Sequence, residues 1–104
     1  MKKLSPEERE ALLLHMITEL FNEQITPGQV LHQLRKGVLG MSQERYALLV
    51  NISRRTLSDI ERDQGSQSLS VLNRVFKPLG LKIGLLPRSQ HLMRALLPDG
   101  PKDA

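Results

Sequence analysis

The side chains able to do chemistry gather between Met41 and Arg62, where Gln43, Ser53, Arg54, Arg55, Ser58 and Asp59 fall in two short helix-like stretches. In the second stretch Leu57 and Ile60 stand at helical spacing, which turns Arg54, Arg55, Ser58, Asp59 and Arg62 outward. An outward arginine fork matches O6 and N7 of guanine, and each such pair discriminates by about 1–3 kcal/mol. A helix that shows two arginines on its free face, braced by a second helix, has the form that enters a DNA major groove. Asp59 is the odd member, because phosphate repels a carboxylate. It is expected to pair with Arg55, four residues back, in preference to accepting from cytosine N4.

Other chemistries find no matching pattern. There is no cysteine, which removes disulfide scaffolds, thiol nucleophiles and cysteine-held metal sites. His15, His32 and His91 stand 17 and 59 residues apart, spacings that suit no metal site. Ser42 and Ser53 have no histidine near them in sequence to activate a hydroxyl. Gly37, Gly40 and Gly65 form no phosphate-cradling motif. The expectation is a binding protein, not an enzyme, with no metal and no cofactor.

The elements that must position these groups are two capped helices joined by Asn51-Ile52. Ser42 caps the first, which turns Tyr46, Ala47 and Val50 to one side, and small Ala47 allows a crossing helix to come close. Asn51 falls where the turn needs a positive φ, which asparagine tolerates better than most residues. Ser53 caps the second helix, and Val50, Ile52, Leu57 and Ile60 join the pair. Thr56 reads as a supporting residue.

Further helices flank this pair. Ser5, Pro6 and Glu8 open a first helix that runs to about Asn22–Gln24, with Leu13, Ile17, Leu20 and Phe21 as an apolar stripe. That stripe packs either on its own domain or on a partner chain. Thr26-Pro27 opens a helix with Val30, Leu31 and Leu34, ended by Gly37 and Gly40. Ser68 caps another that buries Leu69, Leu72, Val75, Phe76 and Leu79; Pro78 ends or kinks it and Gly80 closes it. Leu81 to Leu86 alternates, which predicts a short strand whose partner is the same strand of a second copy through Leu81, Ile83 and Leu85. A short helix over 90–97 and a disordered tail over 98–104 complete the reading.

Composition agrees with a DNA-binding role without demanding it. The chain has 104 residues, 39 % apolar and 3 % aromatic, so one small domain with an aliphatic core is expected. Residues 1–25 carry a net charge of −2, residues 26–65 +2 and residues 66–104 +4. The positive field therefore lies on the later part of the chain and favours a polyanion. No apolar run approaches a membrane span, and the start lacks the pattern of a secretory signal, so a cytoplasmic protein is expected.

Ser42-Gln43, then Ile-Ser-Arg-Arg-Thr-Leu-Ser at 52–58, then Ile-Glu-Arg at 60–62, resembles the phage-repressor or Xre type of helix-turn-helix, over Thr26 to about Leu86. Leu69, Leu72 and Leu79-Gly80-Leu81 with the strand look most like HipB-type antitoxins. The resemblance implies an all-α, five-helix repressor-like domain at 26–80, an N-terminal helical extension at 1–25 and a dimerisation segment at 81–97. It implies base reading by Arg54, Arg55, Ser58, Asp59 and Gln43. Phosphate contacts are expected from Ser53, Arg62, Arg35, Lys36, Arg74 and Lys77. It also implies a dimeric, autoregulatory repressor on a double-stranded DNA operator, with a kinase-like toxin as a further partner contacted through Leu13, Ile17, Leu20 and Phe21. Two alternatives remain: an interaction module with DNA binding secondary, and a stand-alone regulator. Asp63 departs from the pattern, where glycine is common, and so does Pro78.

Overall fold

Hydroxyl side chains set the helix starts. In the computed structural model, which describes residues 4–96, Ser5, Thr26, Ser42, Ser53 and Ser68 each take an extended backbone and accept a hydrogen bond from the N–H three residues on. Ser5 with Glu8, and Thr26 with Gln29, close reciprocal capping boxes behind Pro6 and Pro27. The elements are α1 (Pro6–Phe21), α2 (Pro27–Gln33), α3 (Gln43–Val50), α4 (Arg54–Glu61), α5 (Leu69–Phe76) and α6 (Gln90–Leu96). A π-turn over Leu34–Val38 extends α2, and a 3₁₀ turn over Lys77–Leu79 ends α5 at Pro78 before Gly80, whose φ is 79°.

Two apolar clusters hold these helices. Leu31, Tyr46, Ala47, Val50, Leu57, Ile60, Val75 and Phe76 form the larger, between α2, α3, α4 and α5. Met16, Val30 and Leu34 form the smaller, under α1, with Leu12, Leu13, Leu20 and Ile25 around them. Leu79 and Leu81 touch both. The Tyr46 hydroxyl donates to the Val75 carbonyl at 2.6 Å. Burial pushes this phenol up to about 12, with the negative charge of Glu61 adding and Arg35 opposing.

The all-α expectation matches the described residues, but three details differ. Residues 26–80 hold four α-helices, α2 to α5, where the resemblance implied five; the Leu34–Val38 stretch runs on from α2 as a π-turn. There is no strand among the described residues. Residues 81–89 run without regular structure: Leu81 is spent on the core, and the Ile83 N–H donates to Asn73 Oδ1 at 2.8 Å. A strand needs a neighbour to pair with, and one chain offers none here. Leu69, expected inside, is 60 % exposed at the start of α5. The expected tail at 98–104 lies outside the described residues, as does Leu97.

The crossing of α2 and α4 explains the aspartate that replaces glycine after α4. Asp63 takes a left-handed φ of 57° itself. Its carboxylate then accepts from the Gly28 N–H at 2.9 Å and from the Thr26 hydroxyl at 2.5 Å, so it caps α2 from the end of α4. Gly28 is what allows the approach, since a Cβ there would lie 2.6 Å from the backbone oxygens of Ile60 and Glu61. Gly28→Ala is therefore expected to cost about 1–3 kcal/mol in urea unfolding. Gly37→Ala, where a Cβ meets nothing within 4 Å, is expected to cause no loss.

Candidate nucleic-acid interface

The turn between α3 and α4 is tight. Asn51 adopts φ 60° and ψ 53°, as its position in the sequence requires, and the Ile52 N–H reaches the Ala47 carbonyl at 3.0 Å. Arg74 of α5 closes the end of α3, its guanidinium donating to the carbonyls of Val50 at 2.8 Å and Asn51 at 3.3 Å. Leu57, Ile60 and Glu61 fasten the inner face of α4. The outer face presents Arg54 and Arg55 exposed, with Ser58 and Asp59 half-buried beside them.

Beneath this face lies a buried ion pair. Arg35, in the π-turn after α2, donates to both Glu61 carboxylate oxygens, from Nε at 2.5 Å and from Nη2 at 3.0 Å. Its Nη1 donates to the Met41 carbonyl at 2.6 Å. Glu61 Oε1 also accepts from Gln43 Nε2 at 3.0 Å and lies 3.0 Å from His32 Nδ1. Burial pushes the Glu61 carboxyl up, but the hydrogen bonds from Arg35, His32 and Gln43, with the Arg35 charge, outweigh it and hold the group below its ordinary value.

Most of the expected site residues meet on one surface. Gln43, Ser53, Arg54, Arg55, Ser58, Asp59 and Arg62 all stand on α3, α4 and their caps. The Ser53 hydroxyl accepts from the Thr56 N–H and donates to Thr56 Oγ1 at 2.9 Å, so both hydroxyls serve the cap. Lys36 and Lys77 are exposed. Arg35 is a correction: at 5 % exposure, with its guanidinium turned inward onto Glu61 and the Met41 carbonyl, it is buried away from any phosphate. Asp59 is a second correction. Its partner is Arg62, at 2.8 Å, not Arg55. One helical turn toward the C-terminus Arg62 folds back over Ser58 and Asp59, which leaves Arg55 without an ion pair among the described residues.

Of the residues expected to meet a partner chain, Leu13 and Leu20 pack in the smaller cluster, while Ile17 and Phe21 line an open groove with Ile83, Leu86 and Met93. Sequence reasoning missed Glu61. The signal was present: Leu57, Ile60 and Glu61 follow the i, i+3, i+4 pattern of a buried stripe, and Leu31, Leu34 and Arg35 repeat it. A charge at the apolar position of each stripe marks a buried pair.

A family profile described as helix-turn-helix matches residues 31–86. No curated protein and no solved structure matches the chain. No helix among the described residues is long and apolar enough to cross a membrane.

Removing Glu61 leaves a buried arginine without its counter-charge. Glu61→Ala is expected to cost about 3–5 kcal/mol in urea unfolding at neutral pH. Because the folded carboxyl titrates below the ordinary value of 4.5, its stabilisation is complete above that value and is lost as pH falls through the lower folded one. The variant should therefore show a shallower loss of stability between neutral and acid pH than the parent.

Proposed function

The chain belongs to the helix-turn-helix family of DNA-binding regulators, whose profile spans residues 31–86, and from that premise we propose that it is a sequence-specific transcriptional repressor reading its operator with α4. The observation that carries the reading is the outer face of α4. Arg54 and Arg55 stand exposed on a helix whose other face is locked by Leu57, Ile60 and Glu61. Arg54 and Arg55 reach guanine edges, and Ser58 and Asp59 lie on the same approach. Lys36, Lys77 and Arg62 serve the phosphates, with Arg74 beside the turn; these contacts supply affinity and salt dependence but no sequence choice.

The repressor acts as a homodimer. Ile83, Leu85 and Leu86 are exposed apolar side chains on a stretch that lacks regular structure in the single chain, and a second copy is the occupant that covers them. Two α4 helices then enter successive major grooves, with half-sites about 34–36 Å apart or a multiple of that spacing. The resemblance of residues 69–86 to HipB-type antitoxins supports a finer role: autoregulation of an operon that encodes a kinase-like toxin, bound through Ile17 and Phe21 of α1. Without such a toxin the same face serves a stand-alone regulator.

The test is binding of the purified chain to DNA from upstream of its own gene, titrated at two salt concentrations against scrambled DNA of equal length. Tight, salt-sensitive binding that favours the upstream DNA is the expected result, and equal weak binding to both contradicts autoregulation. Arg55→Ala is expected to reduce the preference by about 1–3 kcal/mol while affinity for scrambled DNA changes little.

A further inference from the structure

We infer that the second copy docks through α1: the acidic outer face of α1 in one protomer lies on the basic, leucine-bearing segment 82–96 of its partner, and the contact is made twice about the two-fold axis. The inference rests on the dimer proposed above and names the surface of the second copy that covers its exposed leucines.

The two surfaces are open in the single chain and opposite in charge. Residues 64–96 contain no aspartate and no glutamate. Lys82, Arg88 and Arg94 are exposed there and make no ion pair among the described residues. Leu85 among them is fully exposed. On α6 the buried Met93 and a hydrogen bond from Gln90 Nε2 to the Phe21 carbonyl, at 3.1 Å, anchor the helix. Leu92 and Leu96 stand one turn apart and remain exposed, so they form one outward strip.

Helix α1 is the reverse. Residues 4–25 hold five glutamates against one arginine. Glu8 is used in its own capping box, and Glu19 lies 3.5 Å from His15. Glu7 and Glu10 are exposed and make no ion pair among the described residues. Glu7, Glu10 and Leu14 recur at helical spacing on one face, and Leu14 is exposed. One turn further on, the Thr18 hydroxyl donates to the Leu14 carbonyl at 2.9 Å, so it brings no unmet donor into a contact.

Charge selects among the ways in which two copies can meet. Packing α1 on α1 sets glutamates against glutamates, and packing the side chains of 82–96 on their own copies sets cation against cation. Packing α1 on 82–96 brings opposite signs together. Exposed ion pairs contribute little each, so burial of Leu14, Leu85, Leu92 and Leu96 supplies most of the affinity, and the charges decide which faces meet. Helices α1 and α6 both lie outside residues 31–86, the part matched by the family profile, so the contact belongs to what this chain adds to that fold.

The experiment uses the full chain. Dimerisation is followed by sedimentation equilibrium, free and on a duplex that the chain enriches from a random pool, with urea unfolding as the check that each variant is folded. Glu7→Lys with Glu10→Lys, and separately Arg88→Glu with Arg94→Glu, are each expected to weaken the dimer by about tenfold, since in a two-fold dimer every substitution acts at both contacts. Mixing the two variants should recover the parent affinity, because their heterodimer has opposite charges at both contacts. The chain carrying all four reversals should dimerise as the parent does. A loss caused only by damaged folding would show neither rescue. A parent dimer that both reversals leave unchanged, or variants that do not recover on mixing, overturns the α1 contact and leaves the dimer intact. A parent chain that stays monomeric, free and on the duplex, overturns the dimer and the contact together.

Discussion

The interaction on which the structure turns is the buried pair between Arg35 and Glu61. A lone buried charge is costly, and neither residue could stay inside without the other. Their pairing holds the π-turn after α2 against the end of α4, and the third guanidinium contact, to the Met41 carbonyl, sets the start of the path into α3. The same carboxylate reaches Gln43 at the first position of α3. One buried group thus joins the three segments whose relative placement decides where α4 points. The apolar residues Leu31, Tyr46, Val50, Leu57 and Val75 supply most of the burial, but they are non-directional. The ion pair and its hydrogen bonds add the directional constraint.

Much of this was legible in the sequence because it is local. Each cap is a hydroxyl residue ahead of an apolar repeat, so Ser5, Thr26, Ser42, Ser53 and Ser68 declare their helices without help from the rest of the chain. Asn51 declares its left-handed turn in the same way. The outward face of α4 follows from the spacing of Leu57 and Ile60. What was not legible is tertiary. Arg35 looks like any exposed cation until Glu61, 26 residues away, is known to lie against it. Asp59 has an arginine four residues before it and another three residues after it, and sequence alone does not choose between them. In the fold Asp59 pairs with Arg62, the C-cap of α4, at 2.8 Å.

The alternation of residues 81–86 shows a different limit. It is a real apolar pattern, and it leaves Ile83, Leu85 and Leu86 exposed, but a strand is a property of two segments and not of one. Asp63 shows the converse, where a departure from a family pattern has a local use. It accepts the left-handed conformation that glycine takes most easily, and its carboxylate then caps α2, which a glycine could not do. The extra helix α1 is covered in part by Met16, Leu13 and Leu20 packing on Val30 and Leu34, so it belongs to the body of the domain that carries the reading helix.

The central claim is that the N-terminus of α3 and the outer face of α4 are the surface that meets DNA. Backbone amide spectra of the isotope-labelled chain, recorded while an enriched duplex is added, test it most directly. The account predicts that the largest shifts fall on Gln43, Glu44 and residues 53–59, with smaller ones at Lys36 and Lys77. Shifts concentrated instead on residues 81–96 and the end of α1, with α4 unchanged, would contradict it.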